Sequence, residues 1–432
     1  MNILAQELNT VLEDSIVYDF LSEKGKRLYF PKGIVAQSEE AKAMATRHNA
    51  TVGLATSNKV PMHLSDIYSS FQANTLRPDQ IFSYAPGGGD KELRAVWQKE
   101  MIKKNPNLEG TLLSDSLVTS GLTHALSVAA TLFFNPGDTL VCADLYWDNY
   151  DLLFTDLNLV DLKLFPLYKN NAFNTQGMKE ALLSCKEETV RLLLNFPNNP
   201  TGYTPTRSER EEICAALVEV AESGKKVMVI SDDAYYGLFF EKEIEKESLF
   251  SYFSSLHENI FALKCDAATK EELVWGFRLG FITYASKAIT KEQLAALTKK
   301  TLGAIRSSVS NCERPGQSLL LNAIKDGKNY QADKQKAFDE MYARYLIVKN
   351  TIANLPENKF LKPYPFNSGY FMAFDTCGKS AEELRLYLLN KYNIGVINII
   401  DKTLRLAYCS VEKDKLEDLI NLVYKASDEL WN

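Results

Sequence analysis

Between about residue 90 and residue 305, short apolar runs alternate with amphipathic helical patterns. Helical spacing over Lys91–Lys104 gives way to an apolar run at Ser116–Thr119, a helix over Thr123–Phe134 and a second run at Thr139–Ala143. A helix beginning at Asn149 and another over Thr175–Cys185 come next. Further runs follow at Arg191–Phe196, Val227–Ser231, Ile260–Lys264 and Leu279–Tyr284, with a helix over Ser208–Ser223 among them. Runs that stay apolar on consecutive positions suit strands buried on both faces. Strands spaced by helices predict an α/β fold, a three-layer sandwich around a mostly parallel central sheet. Ligands of such sheets bind beyond the carboxyl ends of the strands.

Beyond residue 330 the texture changes. A long charged helix over Tyr330–Leu355 precedes an apolar segment at Gly369–Phe374 and a helix over Ala381–Lys391. Short strands near Val396 and Leu404 and a last helix over Lys413–Glu429 complete the chain. The pattern predicts a large domain over 66–325, a smaller α+β domain over 326–432, and an N-terminal segment, 1–65, that packs with the small domain. The 432 residues exceed one ordinary domain and suit two. The polar run Glu241–Glu247 reads as a solvated loop or strand edge.

Composition narrows the function. Hydrophobic residues at 46% and charged residues at 24% describe a folded chain rather than a disordered one. A net charge of −6 with no basic stripe argues against nucleic acid. Seven cysteines without a CxxC pair point away from a disulfide framework or a zinc site, and towards a reducing compartment. Four dispersed histidines offer no metal centre. With no leader-like N-terminus and no stretch of about twenty apolar residues, the expectation is a cytoplasmic enzyme with no membrane partner.

The chemistry-bearing residues gather where strands end. Lys270 follows the run at Ile260, and eight positions later Arg278 lies between Gly276 and Gly280. Glycines admit close backbone approach, and arginine offers a planar fork for phosphate. Alone, this is equally a solvated lysine on a polar loop. Asn195-Phe-Pro-Asn-Asn199-Pro200-Thr201-Gly202 follows another buried run; by itself it serves as well for a strand-to-helix turn. Ser231-Asp232-Asp233-Ala234-Tyr235 ends a third run, either as an acidic loop or as a carboxylate at the ligand edge with a tyrosine beside it.

Taken together, in order and spacing, these segments resemble the fold-type-I, class I/II aminotransferases of the aspartate and aromatic type, over Tyr84 to Arg405. The resemblance implies pyridoxal 5'-phosphate, held as a Schiff base by Lys270, which also shuttles the substrate proton. Asp232 would pair with the pyridine nitrogen, and Tyr235 and Asn199 with the phenolate oxygen. Gly121, Leu122 and Thr123, opening a helix, would hold the phosphate with Arg278 and Thr269. Trp147 would stack on the ring, with Tyr146 as alternate. Tyr84, beside the glycine run 87–89, matches a phosphate contact reached from the neighbouring subunit. Arg405 matches the clamp on the α-carboxylate, and Gly53 would line the same pocket. Arg306 resembles an arginine that crosses the dimer to a distal carboxylate; it reads also as a helix-end charge meeting the dipole. The implied function is transamination between an L-amino acid and a 2-oxo acid in a homodimer with shared active sites, with aspartate, glutamate or aromatic donors.

The pattern departs from the family at Ala267-Ala268-Thr269-Lys270, where many relatives carry Ser-x-Ser-Lys. Ala267 removes a hydroxyl that Asp266 or a water could replace, although Asp266 itself reads as structural. Lys264 is the rival for the cofactor, although a lysine inside a strand should be fixed in the sheet. A carbon–sulfur lyase is the main alternative on the same scaffold. A pyridoxal-binding regulator would need a basic recognition helix ahead of Tyr84. A nicotinamide oxidoreductase would need a glycine-rich turn straight after its first strand.

Overall fold

A computed structural model of the chain describes residues 1–30, 33–72 and 74–432. Its centre is a seven-stranded sheet of β1 (Leu117–Thr119), β2 (Thr139–Ala143), β3 (Asp161–Phe165), β4 (Thr189–Asn195), β5 (Lys226–Asp232), β6 (Ile260–Ala267) and β7 (Gly280–Ser286). The strands lie in the order β1-β7-β6-β5-β4-β2-β3, and β7 alone runs antiparallel to its neighbours. Side chains alternate across the pleat, so β5 sends Met228 and Ile230 into one core and Val227 and Val229 into another on the opposite face. That double burial is why these strands read as unbroken apolar runs. The edge strand β3 was not read from the sequence: its Asp-Leu-Lys-Leu-Phe carries two charges and is half exposed.

Helices cover both faces. The ones that matter below are α1 (Ile34–Met44), α2 (Lys91–Lys104), α3 (Leu122–Phe133), α4 (Arg207–Glu222), α5 (Lys291–Ser308), α6 (Tyr330–Asn354), α7 (Ala381–Tyr392) and α8 (Lys413–Trp431). The helix from Asn149 is present, with a π-helical stretch over Asp151–Asp156. At the start of α4 the Thr206 hydroxyl and Glu209 carboxylate satisfy each other's backbone N–H groups. The 241–247 run is less solvated than its composition suggests. Ile244 and Glu245 are buried there, and Glu245 bonds Arg210 and the Tyr252 hydroxyl.

A four-stranded antiparallel sheet of β8 (Lys362–Pro363), β9 (Phe371–Asp375), β10 (Ile397–Ile399) and β11 (Thr403–Ala407) packs with α6, α7 and α8. Beside it, His48–Asn49 of the N-terminal chain pairs in parallel with Ile394–Gly395 in a separate two-stranded sheet. Among the described residues no helix is long and apolar enough to cross a membrane.

Candidate active site

Strand register alone brings the sequence-read residues together. Asp232, the last residue of β5, pairs with Asn195 of β4 and Cys265 of β6. Two residues beyond Cys265, β6 ends at Ala267, and a short helix, Ala268–Glu271, carries Lys270 away from the sheet. Lys270 and Asp232 therefore line one cavity of about 590 Å³, in the size range of small-molecule sites.

Both groups are perturbed by their surroundings. Asp232 is raised to about 6 by burial, opposed by hydrogen bonds and by Lys270. Tyr150 donates its hydroxyl to Oδ2 at 2.5 Å, while the Ala234 N–H and the Asn195 amide donate to Oδ1. Lys270 is pulled down to about 8 by burial; Asp232 resists that drop and Arg278 adds to it. Its Nζ lies 4.4 Å from the centre of the Tyr235 ring. A neutral amine is the reactive form towards an aldehyde. Cofactor-free protein should therefore take up pyridoxal phosphate faster as pH rises. Below pH 8 the rate should fall roughly tenfold per pH unit, and above it level off. A rate constant that is flat between pH 6 and 9 would contradict this.

The antiparallel β7 builds an anion cradle at the same sheet edge. Gly280 pairs with Ala267 on one side and Thr119 on the other. Arg278, two residues before Gly280, thus meets Gly121, two residues after Thr119. A Cβ on Gly121 would sit 2.5 Å from Arg278 Nη2, and one on Gly280 would sit 2.6 Å from the Gly121 carbonyl carbon. Gly121 also has φ +80°, which glycine alone adopts without strain. The cradle closes on the first turn of α3, where Leu122 and Thr123 line the cavity and the free N–H groups face it with the dipole's positive end. An exposed guanidinium beside these amides fits a phosphate. Thr269 lines the cavity too.

The small sheet supplies the opposite wall. Arg405, central on β11, pairs with Ala373 and Ile397 and is 2% exposed. Its Nη1 donates to Asn199 Oδ1 at 3.0 Å and its Nη2 to the Thr51 carbonyl at 2.7 Å, while its Nε has no partner among the described residues. A buried guanidinium with a spare donor in a cavity wall fits a carboxylate. Gly53 lines the same wall, where a Cβ would meet Phe371 at 2.7 Å and the Tyr235 hydroxyl at 3.4 Å. Trp147 lines the cavity, whereas Tyr146 turns its hydroxyl to Asp151.

Other readings fare differently. Lys264 points to the far side of the sheet and is held by Asp233 and Asp266. Asp266 does not replace the missing serine hydroxyl: it accepts from the Trp97 indole at 3.0 Å and lies away from the cavity. Tyr84 and Arg306 are exposed and outside this cavity. Sequence reasoning missed Tyr150 and Asn195, the two side chains that hold Asp232. The one available signal was their position: Tyr150 comes three residues after Trp147, and Asn195 ends a strand. It also missed α1, whose Ile34, Val35, Ser38, Glu39 and Lys42 line the mouth.

The sequence profile described as Aminotransferase class I and II matches residues 63–423. The chain belongs to that family. An aspartate aminotransferase of Pyrococcus horikoshii is 24% identical over 355 residues, 79% of this chain and 82% of that protein. A probable aspartate/prephenate aminotransferase of Aquifex aeolicus is also 24% identical, over 80% of this chain and 84% of that one. Among solved structures, an aminotransferase from Anaerococcus prevotii superposes with a TM-score of 0.83 at 24% identity, covering 96% of this aminotransferase and 100% of that chain. Aspartate aminotransferase from Thermus thermophilus with maleate superposes with a TM-score of 0.75 at 18% identity, covering 94% and 99%. These likenesses fix the fold as that of the fold-type-I aminotransferases. The chain is an aminotransferase, and transamination is favoured over carbon–sulfur elimination.

Proposed function

We propose that this aminotransferase moves an amino group from an aspartate-, glutamate- or aromatic-type L-amino acid to a 2-oxo acid, with pyridoxal phosphate held at Lys270. The observation that carries this reading is the shared cavity: an amine with a lowered proton affinity and a buried, ionisable carboxylate, set side by side at the ends of adjacent strands. When bound, pyridoxal phosphate supplies an aldehyde carbon for amines and a ring that withdraws electrons from the substrate's α-carbon.

The chain's own residues do the rest. Lys270, neutral for part of its time near physiological pH, would take the proton from the substrate α-carbon and return it to the carbon on the far side of the amino nitrogen, two atoms away. Asp232, kept in place by Tyr150, Asn195 and the Ala234 N–H, gives a fixed negative charge for a cationic ring nitrogen. Arg278, with the amides at Gly121, Leu122 and Thr123, grips phosphate, and Trp147 walls one face of the cavity. Asn199 and Tyr235 face the same space, with Tyr235 raised by burial and so kept as a neutral hydroxyl donor. Arg405 orients the α-carboxylate. Burial of Asp232 and Arg405 limits their contact with water and strengthens each charge interaction.

The reading includes a homodimer. Tyr84 is 90% exposed, and the adjoining Ala85 carbonyl accepts from the Asn311 amide at 2.8 Å, so Tyr84 and Arg306 share one face of the molecule. Arg306 Nη1 is steadied by Ser310 at 2.6 Å. From that face both could reach a partner's cavity, Arg306 to read a distal carboxylate. A panel of amino donors against 2-oxoglutarate, pyruvate and oxaloacetate, followed by the cofactor's absorption, tests the function; no donor-dependent spectral change would refute it. Arg306→Leu should lower kcat/KM for aspartate or glutamate by roughly 10²-fold, the cost of a lost charge-assisted pair, and spare an apolar donor. Equal losses for both donors would remove Arg306 from substrate recognition.

A further inference from the structure

Lys270 leaves the sheet on a helix of four residues, Ala268–Glu271, too short to hold its own shape. The chain turns out of that helix at Leu273, whose φ of +55° is left-handed, a conformation that a leucine does not adopt without cost. The Lys270 ammonium has no hydrogen-bond or ion-pair partner of its own among the described residues, only the face of the Tyr235 ring at 4.4 Å. Something other than the lysine must therefore set where its amine stands.

Its two neighbours do have partners. Successive residues of a helix project about 100° apart, so Lys270, Glu271 and the capping Glu272 leave the backbone in three directions. Lys270 enters the cavity. Glu271 runs to Lys104, the last residue of α2, and Glu272 runs to Lys334, near the start of α6, at 2.6 Å. Glu272 is wholly buried and Glu271 nearly so. Burial pushes Glu271 up, but Lys104 and then Lys334 outweigh it and hold it below the usual carboxylate range.

The two anchors stand on different parts of the molecule. α2 packs on β7 of the large sheet, where Trp97 stacks on Phe281. α6 packs on α8 beside the small sheet, whose β11 carries Arg405. The lysine's backbone is thereby registered against both walls of the cavity. Buried ion pairs add little net stability, and apolar residues of similar volume serve as well or better; what such pairs can fix is geometry. We propose that Glu271 and Glu272 are positioning residues, whose ion pairs to α2 and α6 aim the Lys270 amine at the reacting carbons of cofactor and substrate.

This rests on the reading of Lys270 as the group that takes up the cofactor and moves the proton. Three variants test it beside wild type. Glu272→Gln removes one charge at nearly constant shape. Glu272→Gln combined with Lys334→Met removes both, strands no charge, and so folds even where the single variant does not. Lys334→Arg keeps the pair. Two rates are read. Cofactor-free protein is mixed with pyridoxal phosphate at pH 8, and capture is followed by absorbance. Holoenzyme is mixed with whichever of aspartate, glutamate and phenylalanine reacts fastest in wild type, and the half-reaction is followed per bound cofactor. Both rates fall roughly tenfold to hundredfold in the first two variants, the cost of misplacing a reacting atom by up to about 1 Å. In Lys334→Arg both stay within about threefold of wild type, and in all three variants donor affinity does too. Pairs that served stability alone would lower the thermal midpoint and the holoenzyme yield but leave both rates, counted per folded site, at wild type. That result overturns the proposal, as does a loss confined to donor affinity or an equal loss in Lys334→Arg. A wild type that captures no pyridoxal phosphate, or reacts with none of the donors, sinks the functional reading itself.

Discussion

Replacing Lys270 with alanine should lower transamination by at least about 10⁴-fold, since it removes both the nucleophile that tethers the cofactor and the base that moves the proton. The visible absorption of the bound cofactor should go with it. The other lysine that lines the cavity, Lys42, stands at its mouth on α1 and is paired with Glu39. Lys264, six residues before Lys270, is 2% exposed, engaged by two carboxylates and directed away from the cavity. The fold should not suffer, because the Lys270 ammonium makes no ion pair among the described residues and burial lowers its proton affinity. Thermal midpoints of variant and wild type should agree within a few degrees. Substantial turnover in the variant would mean that the chemistry lies elsewhere.

Asp232→Asn should cost roughly 10²–10⁴-fold in kcat, because a buried ion pair broken on one side loses about 3–5 kcal/mol. The substitution keeps shape. Its Oδ1 can still accept from Asn195 and Ala234, and its Nδ2 can donate to the Tyr150 oxygen in place of accepting from it. What disappears is the charge. Steady-state kinetics should therefore show a fall in kcat with the carboxylate clamp, and hence donor binding, largely intact. A loss below tenfold would mean that Asp232 does not face the cofactor ring.

These two residues were legible from sequence because one ends a buried strand and the other lies just past the end of the next, where a parallel sheet exposes its ligand edge. Arg278 and Gly121 were legible as types but not as neighbours. Their contact depends on the antiparallel insertion of β7 between β6 and β1, a pairing such as Gly280 with Thr119 between segments far apart in the chain. Tyr150 was hidden for a similar reason: nothing local distinguishes a tyrosine aimed at Asp232 from one that only fills the core. The helix at 34–44 that lines the cavity mouth has weak amphipathic patterning, because one side meets β10 and the strand at 394–395 while the other borders the cavity. Asp266, read as structural, is so: it accepts from the Trp97 indole and lies away from the cavity. Next to a functional segment in sequence, it lies one residue off in the alternation of β6, and strand geometry sends adjacent side chains to opposite faces.

The central claim is that the chain's cofactor-bearing amine is that of residue 270. Reducing the holoenzyme with borohydride fixes the cofactor to whichever lysine holds it, and peptide mass mapping then reads its position. The account requires a single phosphopyridoxyl label on the peptide containing Lys270. A label on Lys264, or on no lysine of the cavity, would contradict it.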